Sequence, residues 1–500
     1  MSLRRIVKTS GAMMGGQGVT LLSQLLVPPL FLRNYSIAAY GDWLTLTAAV
    51  TYLSTLNFGL QTYANNQVAI HYNRGEQEEA RHLQATALVL ILAIVVTTAV
   101  AATLVLFVPI NTWLGLSTPR GVVSVTIYLL ALQVLVRIIH GFFVGMYLIV
   151  GAAYRGTAWN NATALGMMLG TAAMVLMRAS FIWIAALQLL IVAGFCILTM
   201  IDFRLKAPEI YPRFRYAQPR RFGEILKPSG YFGLLYYSNF FVYQVPVILI
   251  QRILGPGAVV AFSLTRTIYG MSRQSLTVLS WAIGTEITLI YGKENWKQLF
   301  RLYELSERVI FALVPVTTIG TLLATPMLMA IWLHKPGLYD PYVSLFMALT
   351  SAVMGIKEHK YQFQTACNEH TSIAKFMFSS YVVMVCLAVP GIHYFGVLGF
   401  LGIWLVTEVI QVLVILRMNQ QLFAKVSRLD FSPVYKLFAL MGLATALSAW
   451  FAFTGGKRPL LQVALIAVVF TVALASVGYV LFKLADVRDY LRNRSRVLGR

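Results

Sequence analysis

The sequence predicts an all-α integral membrane protein of about 14 transmembrane helices, built as two homologous six-helix lobes in parallel repeat plus two C-terminal helices. Three observations predict this. The chain is 58% hydrophobic and only 12% charged over 500 residues, with mean hydropathy +0.72, whereas soluble domains run near a quarter charged. Apolar runs of about twenty residues recur throughout, each long enough to cross roughly 30 Å of hydrocarbon as a helix, and runs such as residues 85–108 lack the polar alternation of a barrel strand. Finally, one shift of about 219 residues lays Arg33 on Arg252, Trp43 on Phe262, Tyr72 on Tyr291, Arg74 on Lys293, Trp113-Leu114 on Trp332-Leu333 and His140 on His359, and a constant offset of that kind marks an internal duplication.

In chain order, span 1 is expected at residues 10–32, behind Arg4, Arg5 and Lys8. Span 2 follows at 40–61, and the polar loop behind it holds Arg74 and Arg81. Spans 3 to 6 fall at 84–108, 122–150, 158–177 and 180–203. A basic connector, 204–228, interrupts the apolar sequence with Arg204, Lys206, Arg213, Arg215, Arg220, Arg221 and Lys227. Spans 7 to 12 fall at 229–250, 258–289, 309–333, 341–367, 372–394 and 396–418, and spans 13 and 14 at 434–453 and 460–482, before a basic tail. The implied domains are a first lobe at 1–203, the connector at 204–228, a second lobe at 229–420, and a C-terminal piece at 421–500.

The net charge of +22 and pI near 10 raise nucleic-acid binding, and the placement of the charges answers it. Loops on one side hold roughly four times the Lys and Arg of loops on the other, which is the positive-inside pattern with both termini cytoplasmic. Membrane topology and anionic lipid headgroups thus account for the basicity, and no nucleic-acid partner is expected. Cys196, Cys367 and Cys386 fall in or at the end of predicted helices without paired spacing, so neither a disulfide framework nor a metal site is expected. Lacking a small-x-small cleavage site, the first apolar segment reads as a retained helix rather than a signal peptide. Six helices per lobe is an even number, so the repeat is parallel, about an axis along the membrane normal, with a site expected between the lobes at mid-depth.

Tyr40-Gly41-Asp42-Trp43 after span 1, and Leu56-Asn57-Phe58-Gly59-Leu60 near the end of span 2, resemble the "EYG-x-W" and "LDLGL" stretches of polysaccharide flippases in the multidrug/oligosaccharidyl-lipid/polysaccharide (MOP) exporter superfamily. Ala39 and Asn57 depart from the acidic residues common there. Leu254-Gly255, Phe262 and Tyr291-Gly292-Lys293 in the second half are similar to the same family, and the likeness covers spans 1 to 12. The resemblance implies two six-helix bundles in a V in a bacterial cytoplasmic (inner) membrane. It also implies flipping of a polyprenyl-diphosphate-linked oligosaccharide (of O-antigen or exopolysaccharide type) to the outer leaflet, alongside other envelope polysaccharide assembly proteins.

Residue chemistry gives a separate argument. Charges within hydrocarbon are costly, and they usually face a bundle interior. Arg137 and His140 share a face of span 4, Arg266 and Arg273 share one on span 8, and Lys357, Glu358, His359 and Lys360 interrupt span 10, with Lys357 and Lys360 on a common face. Glu408 is the other deep carboxylate. Arg137, Arg266, Arg273, Lys357 and Lys360 are therefore the candidate cavity cations, suited to diphosphate oxygens. The plainer alternative makes them structural partners of Glu358, Glu408 and backbone carbonyls. His140 and His359 read either as satisfied helix contacts or as cavity residues; Glu408 reads either as a neutraliser or as a coupling site for Na+ or H+, no other cofactor being expected. Span 7 carries Tyr236, Tyr237, Asn239, Tyr243 and Gln244 ahead of Pro246, a pattern fitting sugar contacts or, equally, an interfacial aromatic belt.

Two other function classes are weighed. A small-molecule or multidrug antiporter of the same fold is the main alternative, and a cationic interior would repel cationic drugs. A membrane-embedded polymerase or transferase needs placed acids and extramembrane surface, but the outer loops are short, no Asp-x-Asp pair exists, and no phosphate-binding glycine loop with its lysine is present. A transporter is expected rather than an enzyme.

Overall fold

A computed structural model describes residues 3–426 apart from 58, 293, 368, 369 and 425. Residues 427–500, which hold predicted spans 13 and 14 and the basic tail, lie outside the described residues, as do the motif residue Phe58 and the repeat landmark Lys293. The described chain is all-α. Its helices are α1 (Leu3–Asn34), α2 (Ile37–Thr51), α3 (Leu60–Asn73), α4 (Gln77–Ala102), α5 (Ile110–Leu114), α6 (Arg120–Met146), α7 (Ala153–Leu176), α8 (Phe181–Lys206), α9 (Phe222–Tyr243), α10 (Val245–Leu254), α11 (Pro256–Gly292), α12 (Trp296–Leu333), α13 (Pro341–Ala366) and α14 (His370–Phe423). Each of predicted spans 1 to 12 has a helical counterpart, α14 supplying two because Gly396 (φ 63, ψ −150) breaks it in the middle.

Element boundaries repeat with the sequence. A shift of about 219 residues carries the limits of α1 onto the start of α9 and the end of α10, those of α2 and α3 onto α11, and those of α4 and α5 onto α12, to within about a residue. A ring contact repeats too: Trp43 and Phe181 lie 5.4 Å apart, and their shifted counterparts Phe262 and Phe400 lie 5.7 Å apart. Gly59 is one place where the halves diverge. Its left-handed backbone (φ 70, ψ 8) separates a 3-10 turn at Tyr52–Asn57 from α3. Val278 stands at the matching position, and a β-branched residue disfavours that conformation, so α11 runs through unbroken.

Among the described residues the helices form two compact units by contact, Met1–Val260 with Met377–Ile392, and Ala261–Phe376 with those from His393. In the first, α6 packs most extensively on α8, α1 on α7, and α3 on α4. Gly16 permits the α1–α7 approach: a Cβ there would fall 2.5 Å from the Asn161 amide oxygen, and Asn161 Nδ2 donates to Ala12 O at 2.7 Å. In the second, α12 lies along α13, and Tyr303, Phe363 and Phe423 close an aromatic cluster. Gln77–Leu106, Arg120–Met146, Phe181–Lys206, Trp296–Leu333 and Ser372–Phe423 are long and apolar enough to cross a bilayer. Their outward faces are apolar as well: Leu104, Trp183 and Leu190 are each more than 60% exposed, as lipid requires and water would penalise.

The two family-like stretches have structural reasons. Gly41 lies against α11, where a Cβ would sit 2.6 Å from Pro256 Cβ and 2.7 Å from its carbonyl oxygen. Beside it Asp42 is fully buried; its Oδ2 accepts from Ser117 Oγ (2.7 Å), Thr118 N (2.8 Å) and Thr118 Oγ1 (2.7 Å), and its Oδ1 from Gln251 Nε2 (3.2 Å). Gln251 in turn donates to Gly115 O at 3.0 Å. One carboxylate thus joins the starts of α2 and α6 to α10.

The connector is docked on α4 at the opposite end of this unit. Arg81 Nε donates to Glu209 O (3.0 Å), Gln218 N donates to Thr86 Oγ1 (2.9 Å), and His82 Nδ1 meets Tyr216 O at 2.8 Å. Arg221 bridges Glu79 (2.5 Å) and Glu224 (2.8 Å), and the Glu79 carboxylate, then Glu224, hold its guanidinium above its ordinary range.

Candidate functional site

Polar side chains concentrate on one turn of α13. Four successive residues on an α-helix point about 100° apart, so Lys357, Glu358, His359 and Lys360 between them reach three neighbouring helices. Lys357 Nζ pairs with Glu408 on α14 and donates to Gln411 Oε1 at 2.9 Å, while Trp404 Nε1 donates to Glu408 Oε1 at 3.0 Å. Glu358 faces α11, accepting from Arg273 Nη1 at 2.6 Å and from the Thr277 hydroxyl. His359 Nε2 meets Ser306 Oγ on α12 at 2.8 Å; that hydroxyl also donates to Leu302 O, which assigns the ring proton to Nε2. Lys360 pairs with Glu307 on α12, with its ammonium 4.3 Å from the Tyr303 ring centroid.

This arrangement corrects the expectation for the two lysines. Lys357 and Lys360 were expected among cations lining an opening, but they are 4% and 0% exposed and enclosed by protein. The physical reason is desolvation: an ammonium removed from water needs a carboxylate beside it, and Glu408 and Glu307 supply one each. The plainer alternative, structural partnership with Glu408, describes Lys357. Three helices are pinned to α13 by charge pairs or hydrogen bonds, and Asn419 Nδ2 adds a bond to Lys360 O at 3.1 Å. Glu408 has the neutraliser's geometry, toward Lys357.

The arginines are more accessible. Arg273 and Glu358 keep 16% and 24% of their side chains exposed. Arg266, two turns earlier on α11, is half-buried with its guanidinium 5.2 Å from the Phe262 ring centroid. In the first unit Arg137 is exposed in the middle of α6, and no hydrogen bond or ion pair holds it among the described residues. His140, one turn on, is 1% exposed and meets Thr163 Oγ1 at 3.4 Å on α7, the geometry of a helix contact.

The aromatic segment is split as its proline dictates. Without an amide proton Pro246 cannot continue the ladder, so α9 ends at Tyr243 and α10 starts at Val245, Gln244 capping the break with its backbone N–H on Phe240 O at 2.9 Å. Tyr237, Tyr243 and Gln244 are half-buried and Asn239 is exposed, while the side chain of Tyr236 lies outside the described residues.

Sequence reasoning passed over Glu307, Gln411 and Trp404 as partners, and the pairing of Asp202 with Arg155 at 2.5 Å, whose acid also takes the Trp159 indole N–H at 3.0 Å. Glu307 was assigned to a loop before span 9, yet α12 starts at Trp296. The available signal was the run Arg301, Glu304, Glu307, Arg308, whose spacing suits a charged helical extension beyond the membrane-length core.

No protein-family model and no curated protein sequence matches the chain. Solved structures do. An inward-facing multidrug resistance MATE family transporter of the MOP superfamily superposes with a TM-score of 0.68 at 15% identity, over 85% of this chain and 99% of that one. The outward-facing conformation of such a transporter gives 0.62 at 16% identity, over 85% and 97%. A ligand complex of the MATE multidrug transporter DinF-BH gives 0.63 at 12% identity, over 83% and 95%. With its duplicated helices and apolar outer faces, the chain has the fold of MATE transporters of the MOP superfamily.

Proposed function

We propose that the protein is a carrier rather than an enzyme, working by alternating access in a bacterial inner membrane with both termini cytoplasmic. Its cargo is a polyprenyl-diphosphate-linked oligosaccharide, moved from the cytoplasmic to the outer leaflet and delivered to envelope polysaccharide assembly. The observation that carries this reading is the charge arrangement within the helices. Glu358, Glu408, Glu307 and Asp202 are each joined to a cation, whereas Arg137 is exposed and unpaired among the described residues. An intramembrane field of that sign favours an anionic head group. Within the second unit the half-buried Arg266 and the Glu358-paired Arg273 remain candidate anion contacts, and within the first Tyr237, Asn239 and Tyr243 remain candidate sugar contacts. A Na+ or H+ gradient supplies the driving force.

Multidrug export is the second reading, favoured by the similar structures being multidrug transporters. Reconstituted protein separates the two. The first predicts leaflet translocation of a polyprenyl-diphosphate disaccharide, lost in Arg137→Ala and partly kept in Arg137→Lys at equal protein abundance. Accumulation of a cationic dye with no glycolipid movement refutes it in favour of the second.

A further inference from the structure

We infer that the first unit carries a sugar-binding cleft between α3, α6 and α7, separate from the arginines and aromatic segment assigned above; the inference rests on the glycolipid reading. The cleft has a volume of about 320 Å³, room for about ten water molecules at about 30 Å³ each and within the size of small-ligand sites. Its polar wall is Gln61, Asn65 and Asn66 from α3 with Thr157 from α7, and its floor is Gly141 and Gly145 of α6. Gln61 Nε2 is held by Ile138 O at 2.5 Å, while Asn65 and Asn66 offer amide groups of the mixed donor and acceptor kind that vicinal hydroxyls require, and no charge among the three would demand an ion.

Two independent observations mark it as built for a ligand. Asn65 is 6% exposed, yet its Oδ1 has no hydrogen-bond partner among the described residues, and such an orphaned acceptor is costly unless something else supplies a proton. The internal duplication provides the second. Gly141 and Gly145 correspond by the shift of about 219 residues to Lys360 and Gln364 of α13. Those two side chains are buried and bonded, to Glu307 and to Asn419. The first half has no side chain at either position, and the amides of Gln61 and Asn65 lie over the glycines instead: a Cβ at 141 would fall 2.8 Å from Gln61 Oε1, and one at 145 would overlap the Asn65 amide. Arg137 is one turn from Gly141, on the face of α6 that also holds Val144, and Leu148 of the cleft wall follows in the turn after α6. An anionic group held at Arg137 would therefore place an attached sugar along that face, toward the amides.

The test compares two probes in proteoliposomes, bare polyprenyl diphosphate and polyprenyl diphosphate carrying a disaccharide, for wild type, Asn65→Leu and Asn66→Leu. The cleft predicts at least a tenfold loss of disaccharide-lipid translocation in Asn65→Leu with the bare lipid still moved and the melting temperature unchanged. If Asn65→Leu lowers the melting temperature, the exposed Asn66→Leu carries the same selective prediction. Equal movement of both probes by wild type and variants overturns the cleft and leaves the carrier reading standing, as does equal loss of both probes in a folded variant. A wild type that moves neither lipid overturns the carrier reading, and the cleft with it.

Discussion

Replacing Glu408 by glutamine strands the Lys357 ammonium, 4% exposed, among α13 and α14. Removing one partner of a buried ion pair costs about 3–5 kcal/mol, because the remaining charge keeps its desolvation penalty without its compensation. Gln411 Oε1, 2.9 Å from Lys357 Nζ, still accepts a bond in the variant, which places Glu408→Gln toward the lower end. Lys357→Met alone is as damaging, since it takes the ammonium from the Glu408 carboxylate, and the Trp404 N–H at 3.0 Å is a neutral donor that cannot replace it. The double variant Lys357→Met/Glu408→Leu removes both charges and returns most of the loss, as apolar replacement of whole buried pairs does. Denaturant unfolding in mixed micelles, run as a double-mutant cycle, should give a coupling energy of about 3 kcal/mol or more. Single-variant losses that simply add in the double variant would refute the pinning role. Translocation by the refolded double variant then settles whether Lys357 acts only in the fold: retained transport keeps it there, whereas a stable but inactive double variant makes the pair part of the transport cycle.

Asp42→Asn turns one of the carboxylate's oxygens into a donor facing Ser117, Thr118 or Gln251, and should cost about 1–3 kcal/mol by the same measurement; unchanged stability would dissolve the proposed junction of α2, α6 and α10. Gly41→Ala should be worse in expression and melting, because the obstruction is Pro256 backbone, at 2.7 Å, rather than a flexible side chain. Arg221→Gln should speed protease cleavage within the connector, modestly at low salt because exposed bridges contribute about 0.2–1 kcal/mol each. The difference from wild type should vanish near 1 M salt, where screening acts within about 3 Å; a salt-independent difference would assign the docking to the Arg81, His82 and Thr86 hydrogen bonds instead.

The helices at predicted spans 1 to 12 were legible because apolar length and the duplication are properties of the chain itself. Helix ends were not: charged turns such as Trp296–Arg308 continue a helix beyond hydrocarbon, and an apolar window stops where the charges start. For the site, spacing put Lys357 and Lys360 on one face of their helix, yet they reach Glu408 on α14 and Glu307 on α12, because spacing cannot name a partner on another helix. Lys360 illustrates the limit. Its acid, Glu307, is 53 residues away, on a segment read as loop, so a paired lysine looked like a free one. Asp42 was legible as a motif residue and illegible in its role, since its four donors come from positions 117, 118 and 251.

Divergence of the two halves explains why charge alone was a poor guide to the site. At three successive turns the first half has Arg137, Gly141 and Gly145 where the second has Ile356, Lys360 and Gln364. In the second half the long side chains reach Glu307 and Asn419 and fill the helix interface. In the first, glycines leave space and the cation one turn away has no acid among the described residues. Burying a lysine calls for a matching glutamate and closes the packing; omitting it leaves an opening that amides can line. The half with glycines at two of those turns is therefore the half able to receive a polar ligand, and Gly141→Lys should close the cleft, read as loss of disaccharide-lipid translocation in a variant that melts as wild type does.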